Sequence, residues 1–232
     1  MPELRVAVIA SHNGSNLRAL HRASRDADAR FRIVLVISNN SDSGALRYAR
    51  DNRILARHLS GRTHDDPDEA IRAALVEHST DLVVTAGYLK KIGPRTEAEF
   101  AARIINVHPA LLPRHGGPGM YGRYVHRAVL DAADPVSGAT VHLVSGVYDT
   151  GEVLAQAEVP VRPGDTADTL GARVLEAEHT LLPEVVRRIA HDRSPFLSVR
   201  ARSADAGGDS AGCVGCAPEQ ERGVAVESSP CR

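Results

Sequence analysis

The chain has 232 residues, 43% of them hydrophobic, with 28 basic and 29 acidic side chains and a formal net charge of −1. That length can bury a core as one large domain or two small ones. The charge balance excludes a nucleic-acid binder held by bulk charge, though not a local phosphate site, and 3 Phe, 5 Tyr and no Trp exclude stacking platforms for single strands.

The body alternates strand-like and helix-like segments. Arg5–Ala10 is apolar and β-branched, as a buried parallel strand is. Helical composition follows over Ser15–Ala27, then a strand at Ile33–Ser38, a helix over Ala45–Asn52 and a weak strand around Ala56–Leu59. Asp68–His78 places Ala70, Ile71, Ala74 and Leu75 at helical spacing, and Asp81–Ala86 reads as another buried strand. This order predicts an α/β fold, a Rossmann-like, mostly parallel sheet with helices on both faces.

The second half changes character. Ile104–His108 is a short strand running into Pro109, and Pro113–Gly122 holds glycines at 116, 117, 119 and 122, which predicts an ordered loop or lid. A helix is expected over Tyr124–Ala133. Strands at Thr140–Ser145 and Val153–Val161 joined by the turn Gly146–Gly151 predict a hairpin, hence a mixed C-terminal edge to the sheet. Asp165–Ile189 is the longest helical segment, with Thr166 as N-cap and Pro183 expected to end or bend it. From about Ser198 the chain is rich in Gly, Ser, Ala and charge. Residues 1–197 are thus expected to form one catalytic domain and 198–232 a disordered tail.

No apolar run approaches the ~20 residues a membrane span needs. The start at Met1 leads straight into the first strand without a secretory leader, so a cytoplasmic location is expected. All three cysteines, Cys213, Cys216 and Cys231, fall in the tail, and their Cys-x-x-Cys has no second pair to complete a zinc site. His108, His115 and His126 lack metal-binding helical spacing, no G-x-S-x-G elbow occurs, and no metal is expected.

Three constellations could carry chemistry. Ser11-His12-Asn13-Gly14-Ser15-Asn16 joins the first strand to the first helix, where free backbone N–H groups and the helix dipole suit a single phosphate. The competing reading is a plain N-cap by Ser15 or Asn16. Asn106 and His108, two apart in a strand, point to one face at its C-terminal end, where an amide and an imidazole can donate to a developing oxyanion. A packed, hydrogen-bonded pair is the alternative. Asp149 lies on the hairpin turn; a carboxylate beside a histidine holds it protonated and can take a proton through water, whereas most turn aspartates only form turns.

The order of these blocks is itself informative. GSNL after the first strand, ISNN after the second, AGYLKKIGP, IINVHPALLP, VHLV, and D-x-G before LAQAEVPV resemble the glycinamide ribonucleotide formyltransferase family, from about Arg5 to Ile189. The resemblance implies formyl transfer from 10-formyltetrahydrofolate to the amine of glycinamide ribonucleotide, a step of purine biosynthesis. It implies Asn106, His108 and Asp149 as the catalytic trio and Gly14, Ser15 and Asn16 as the phosphate loop. Leu175, Glu176, Ala177 and Glu178 would form the ribonucleotide-contacting helix segment. Leu89, Lys90, Lys91 and Ile92 would line the folate, with Asn106, and Ser145, Gly146, Val147, Tyr148 and Asp149 would close over it. Small-molecule substrates are implied, with no nucleic acid, membrane or metal partner, for a monomer or homodimer. His12 stands where the family usually has Gly, and the loop Arg114–Tyr124 is longer than in the commonest members. These departures leave a formyltransferase for another amine, such as an amino sugar, as the alternative, beside a non-catalytic nucleotide-binding module.

Overall fold

The computed structural model describes residues 2–192; the expected tail lies outside them. Thirteen elements follow in order: β1 (Leu4–Ile9), α1 (Ser15–Ala23), β2 (Phe31–Ser38), α2 (Gly44–Asp51), β3 (Ala56–His58), α3 (Pro67–Glu77), β4 (Leu82–Thr85), α4 (Pro94–Glu99), β5 (Ile104–His108), α5 (Arg123–Asp131), β6 (Val136–Leu143), β7 (Val153–Pro160) and α6 (Ala167–His191). The strands form one sheet in the order β3-β2-β1-β4-β5-β6-β7. Pairing is parallel from β3 to β5 and antiparallel for β5–β6 and β6–β7, so the mixed edge is as expected.

Strand periodicity divides the core between two faces. Leu4, Val6 and Val8 of β1 pack with Leu17 and Leu20 of α1, Leu46 of α2, Val129 of α5 and Leu170, Val174 and Leu182 of α6. Ala7 and Ile9 point the other way, onto Ile71 and Leu75 of α3, Ile92 and Phe100. Helices thus cover both faces, and the central strands read as unbroken apolar runs because neither face meets water.

The chain runs outward from β1 to β3, returns to β4 beside β1, and proceeds the other way. β1 and β4 therefore flank a topological switch point, where the loops at their C-terminal ends diverge and leave a crevice. Ser11 ties these loops: its N–H donates to the carbonyl of Gly87 (3.1 Å), its hydroxyl to Asn39 Oδ1 (2.6 Å), and it accepts from the N–H of Leu89 (2.9 Å).

Two expectations are corrected and one element is added. α6 does not end at Pro183 but continues to His191, because Leu182, Pro183, Val185, Val186 and Ile189 are all buried along its length. β6 starts at Val136 rather than Thr140, since Val136–Ala139 pair with β7. α4 has no counterpart in the sequence reading; Asp68 of α3 anchors its first turn by accepting from the N–H groups of Arg95 (2.8 Å) and Thr96 (3.1 Å). Thr166 caps α6 as expected, accepting from Thr169 N in a capping box.

Candidate active site

A cleft of about 1040 Å³ opens over the C-terminal ends of β1, β4 and β5. One end is the turn into α1. Gly14 takes the N-cap position with φ of 71° and no side-chain cap, so the N-cap reading for Ser15 or Asn16 is not what forms. A Cβ at residue 14 would stand 2.9 Å from the backbone and side chain of Ala45, so only glycine fits this left-handed turn. With no side chain satisfying them, the first N–H groups of α1 face the cleft with the positive end of the helix dipole.

Asn16 reaches across to α6 instead. Its Nδ2 donates to Glu178 Oε2 at 2.6 Å, and both side chains are buried. Burial pushes the Glu178 carboxyl up to about 7, against the opposing hydrogen bond from Asn16. Leu175 lies one turn away on the same face and also lines the cleft. Glu176 and Ala177 do not: Glu176 points to solvent and Ala177 packs toward the core, as their positions on the helix dictate.

At the centre, β5 presents Asn106 and His108 together. Asn106 Oδ1 lies 2.9 Å from Thr85 Oγ1 of β4, and its Nδ2 donates to His142 Nε2 at 3.1 Å. His142 Nδ1 donates to the carbonyl of Leu143 (2.9 Å), which leaves Nε2 as the acceptor. The amide is thereby fixed, with one N–H on His142 and the second available in the cleft.

Asp149 meets His108, as the sequence could not establish. Its Oδ2 is 3.5 Å from His108 Nδ1, and its Oδ1 is 3.5 Å from His142 Nε2. Asp149 has φ of 56° and accepts from the N–H of Gly117 at 2.9 Å. Burial raises its pKa, but the His142 ring, the N–H of Gly117 and the His108 ring beside it together bring it below the usual carboxylate range.

His108 Nε2 donates to the carbonyl of His115 at 2.8 Å. Burial is the largest influence on this ring and pushes its pKa down; the Asp149 carboxylate opposes that without offsetting it. Both ring nitrogens thus face acceptors, Nε2 the carbonyl of His115 and Nδ1 the Asp149 carboxylate.

The far flank is formed by Leu89, Lys90, Lys91 and Ile92 after β4, and by Ser145, Val147 and Tyr148 of the hairpin turn. Gly146 of the same turn is exposed and does not line the cleft. His12 and the segment Gly117–Arg123 complete the wall. Sequence reasoning missed Thr85, His142 and Gly117. Thr140 and His142, polar residues two apart in an apolar strand, were the available signal for His142.

Residues 4–186 match the family model described as formyl transferase. The chain is 40% identical over 193 residues to the chloroplastic phosphoribosylglycinamide formyltransferase of Arabidopsis thaliana, a match covering 82% of this chain and 66% of that one. It is 34% identical to the phosphoribosylglycinamide formyltransferase of Escherichia coli K12, covering 82% and 89%. The crystal structure of phosphoribosylglycinamide formyltransferase from Brucella melitensis superposes with a TM-score of 0.75 at 39% identity, covering 81% of this chain and 96% of that one. Among the described residues no helix is long and apolar enough to cross a membrane. The chain belongs to the formyl transferase family, in its phosphoribosylglycinamide formyltransferase group.

Proposed function

We propose that the protein transfers the formyl group of 10-formyltetrahydrofolate to the amine of glycinamide ribonucleotide, a step of purine biosynthesis. The observation that carries this reading is the convergence in one cleft of an uncapped helix N-terminus, an oriented amide and a buried histidine facing a carboxylate. The α1 turn would take the ribonucleotide phosphate, and Glu178 the acceptor end nearest α6. The strip Leu89–Ile92 and the turn Ser145–Asp149 would line the folate.

The amine attacks the formyl carbon, a C–N bond forms, and the carbonyl electron pair moves onto oxygen. The free N–H of Asn106 donates to that oxygen. The proton leaving the amine passes to the His108–Asp149 pair, and the positive ring so held offsets the charge of the oxyanion as it forms. Collapse restores the carbonyl, breaks the bond to the folate nitrogen, and returns the proton from His108 to that nitrogen. Protons and charge balance, and the imidazolium that burial disfavours stands beside a negative charge.

Steady-state transfer with glycinamide ribonucleotide, read by folate absorbance beside a panel of other amines, tests the proposal. Transfer to glycinamide ribonucleotide at least a hundredfold more efficient than to any other amine is the expected result. Preference for another amine, or binding of nucleotide without formyl transfer, would overturn it.

A further inference from the structure

α5 sets a buried polar side chain against the cleft that the reaction above does not use. His126 is 7% exposed, and its Nδ1 is enclosed with no hydrogen-bond partner. Nε2 has no partner among the described residues either, but it is not enclosed, and it is the polar atom the ring offers to the cleft. Buried polar groups are nearly always paired, so an imidazole with both nitrogens unpaired calls for an explanation, and a ligand that supplies the bond is one.

The fold makes room for this ring at some cost. Gly171 lies inside α6, where glycine is less favourable than alanine. A Cβ there would stand 2.8 Å from His126 Cδ2 and 3.0 Å from Nε2, so this edge of the ring lies directly on the helix. Gly171, Leu175 and Glu178 share one face of α6 at i, i+4 and i+7, and all three line the cleft. His126 thus stands at the N-terminal end of the stripe and Glu178 two turns on, about 10 Å along the axis at roughly 1.5 Å per residue. Glu178 is tied to Asn16 of the α1 turn, where the phosphate would sit. His126 lies nearer the reacting groups: after burial, the His108 ring is the next influence lowering its pKa, with Asp168 opposing both.

The order along the cleft is therefore the α1 turn, Glu178, His126, then Asn106, His108 and Asp149. The order along glycinamide ribonucleotide is phosphate, sugar, amide, amine. We propose that His126 Nε2 hydrogen-bonds the amide of the acceptor's glycyl arm, the group between its sugar and its amine. An amide carries both an N–H and a C=O, so the ring finds a partner whichever of its nitrogens is protonated. The inference rests on the formyl-transfer reading above and adds a rule of acceptor choice to it. Amines whose arm bears a hydrogen-bonding group at this depth are favoured over plain alkylamines on the same phosphosugar.

The test measures steady-state transfer by the full chain and three variants. His126→Phe keeps a flat ring on Gly171 without a polar atom. His126→Gln places an amide near the Nε2 position, and His126→Asn places one near Nδ1 only. His126→Phe should raise KM for glycinamide ribonucleotide about tenfold, the effect of one lost hydrogen bond, with kcat within about threefold and KM for the folate within about twofold. His126→Gln should stay within about threefold of the parent, and His126→Asn should resemble His126→Phe. Ribose 5-phosphate, which has the phosphate and sugar but no amide, should inhibit the parent and His126→Phe with equal Ki. A rise in Ki that matches the rise in KM would put His126 on the sugar and overturn the proposal. An acceptor KM unchanged in His126→Phe also overturns it, as do both KM values rising together with a fall in Tm, the mark of a packing role. No transfer to glycinamide ribonucleotide by the parent chain overturns the functional reading itself, whereas transfer by the parent with any of those three patterns overturns only the assignment of His126.

Discussion

Replacing Glu178 by Gln should make the protein more stable at pH 8 and leave its stability near pH 4.5 almost unchanged. The carboxyl is buried and, among the described residues, hydrogen-bonded only to Asn16, and burial lifts it from 4.5 to about 7. A raised carboxyl pKa means that, between those values, the folded chain keeps a proton the unfolded chain has released. Folding is therefore favoured at low pH and loses stability as pH rises through that window. At ~1.4 kcal/mol per pH unit the loss amounts to about 3 kcal/mol above pH 7. Glutamine keeps the shape and an acceptor for Asn16 Nδ2 without the charge. Urea unfolding of parent and variant at pH 5, 6, 7 and 8 gives the difference in ΔG at each pH. That difference isolates Glu178 from His108, His126 and His179, whose pKa values burial lowers and which therefore add stability as pH rises. A gain approaching 3 kcal/mol at pH 8 that shrinks steadily toward pH 5 is the expected pattern. A difference independent of pH would show that Glu178 titrates normally and that its burial carries no such cost.

The remaining expectations concern activity. His108→Ala and Asp149→Asn should each reduce kcat by about a hundredfold or more, the usual cost of removing one group that stabilises an oxyanion, with the thermal transition retained; near-normal turnover in either would remove them from the mechanism. Thr85→Val should lower kcat about five- to tenfold, because losing one hydrogen bond worth about 1 kcal/mol frees the Asn106 amide to flip. Gly14→Ala should raise KM for the ribonucleotide at least tenfold while moving KM for the folate less than twofold, since the new Cβ meets Ala45 at 2.9 Å and displaces the α1 turn.

Much of the fold was legible because its signals are local. The apolar runs over β1, β2 and β4 and the helical spacing of α3 follow from side-chain direction alone. α4 was not, because it spans six residues with one buried side chain, and Asp68 from another helix holds its start. Pro183 misled for the complementary reason: its local preference is outweighed by the apolar face that α6 buries on both sides of it.

The site divides in the same way. Asn106 and His108 were legible from two-residue spacing at a strand end. His142 was not, because only the register of β5 against β6 sets it opposite Asn106. Glu178 and Asn16 are 162 residues apart and meet through tertiary packing of α6 on α1. Proximity to Asp149 favours a charged His108, and the burial that opposes it comes from the fold and could not be read from the sequence. The His115 carbonyl that meets His108 is a group every residue type has, so no residue identity could signal that contact.

The switch point between β1 and β4 has a consequence for altering what the protein recognises. The surfaces at the α1 end of the cleft rest on one core, with Leu17, Leu20 and Val174 beneath them, whereas Ile92 and Tyr88 at the other end rest on the opposite core. The groups proposed to handle the formyl carbon stand between, Asn106 and His108 on β5 and Asp149 on the turn between β6 and β7. Substitutions on α1 and α6 can therefore reshape the pocket for the amine without passing through the packing that shapes the folate strip. In engineering terms the proposed acceptor and donor ends are separable design problems, with Ser11 tied to loops on both sides.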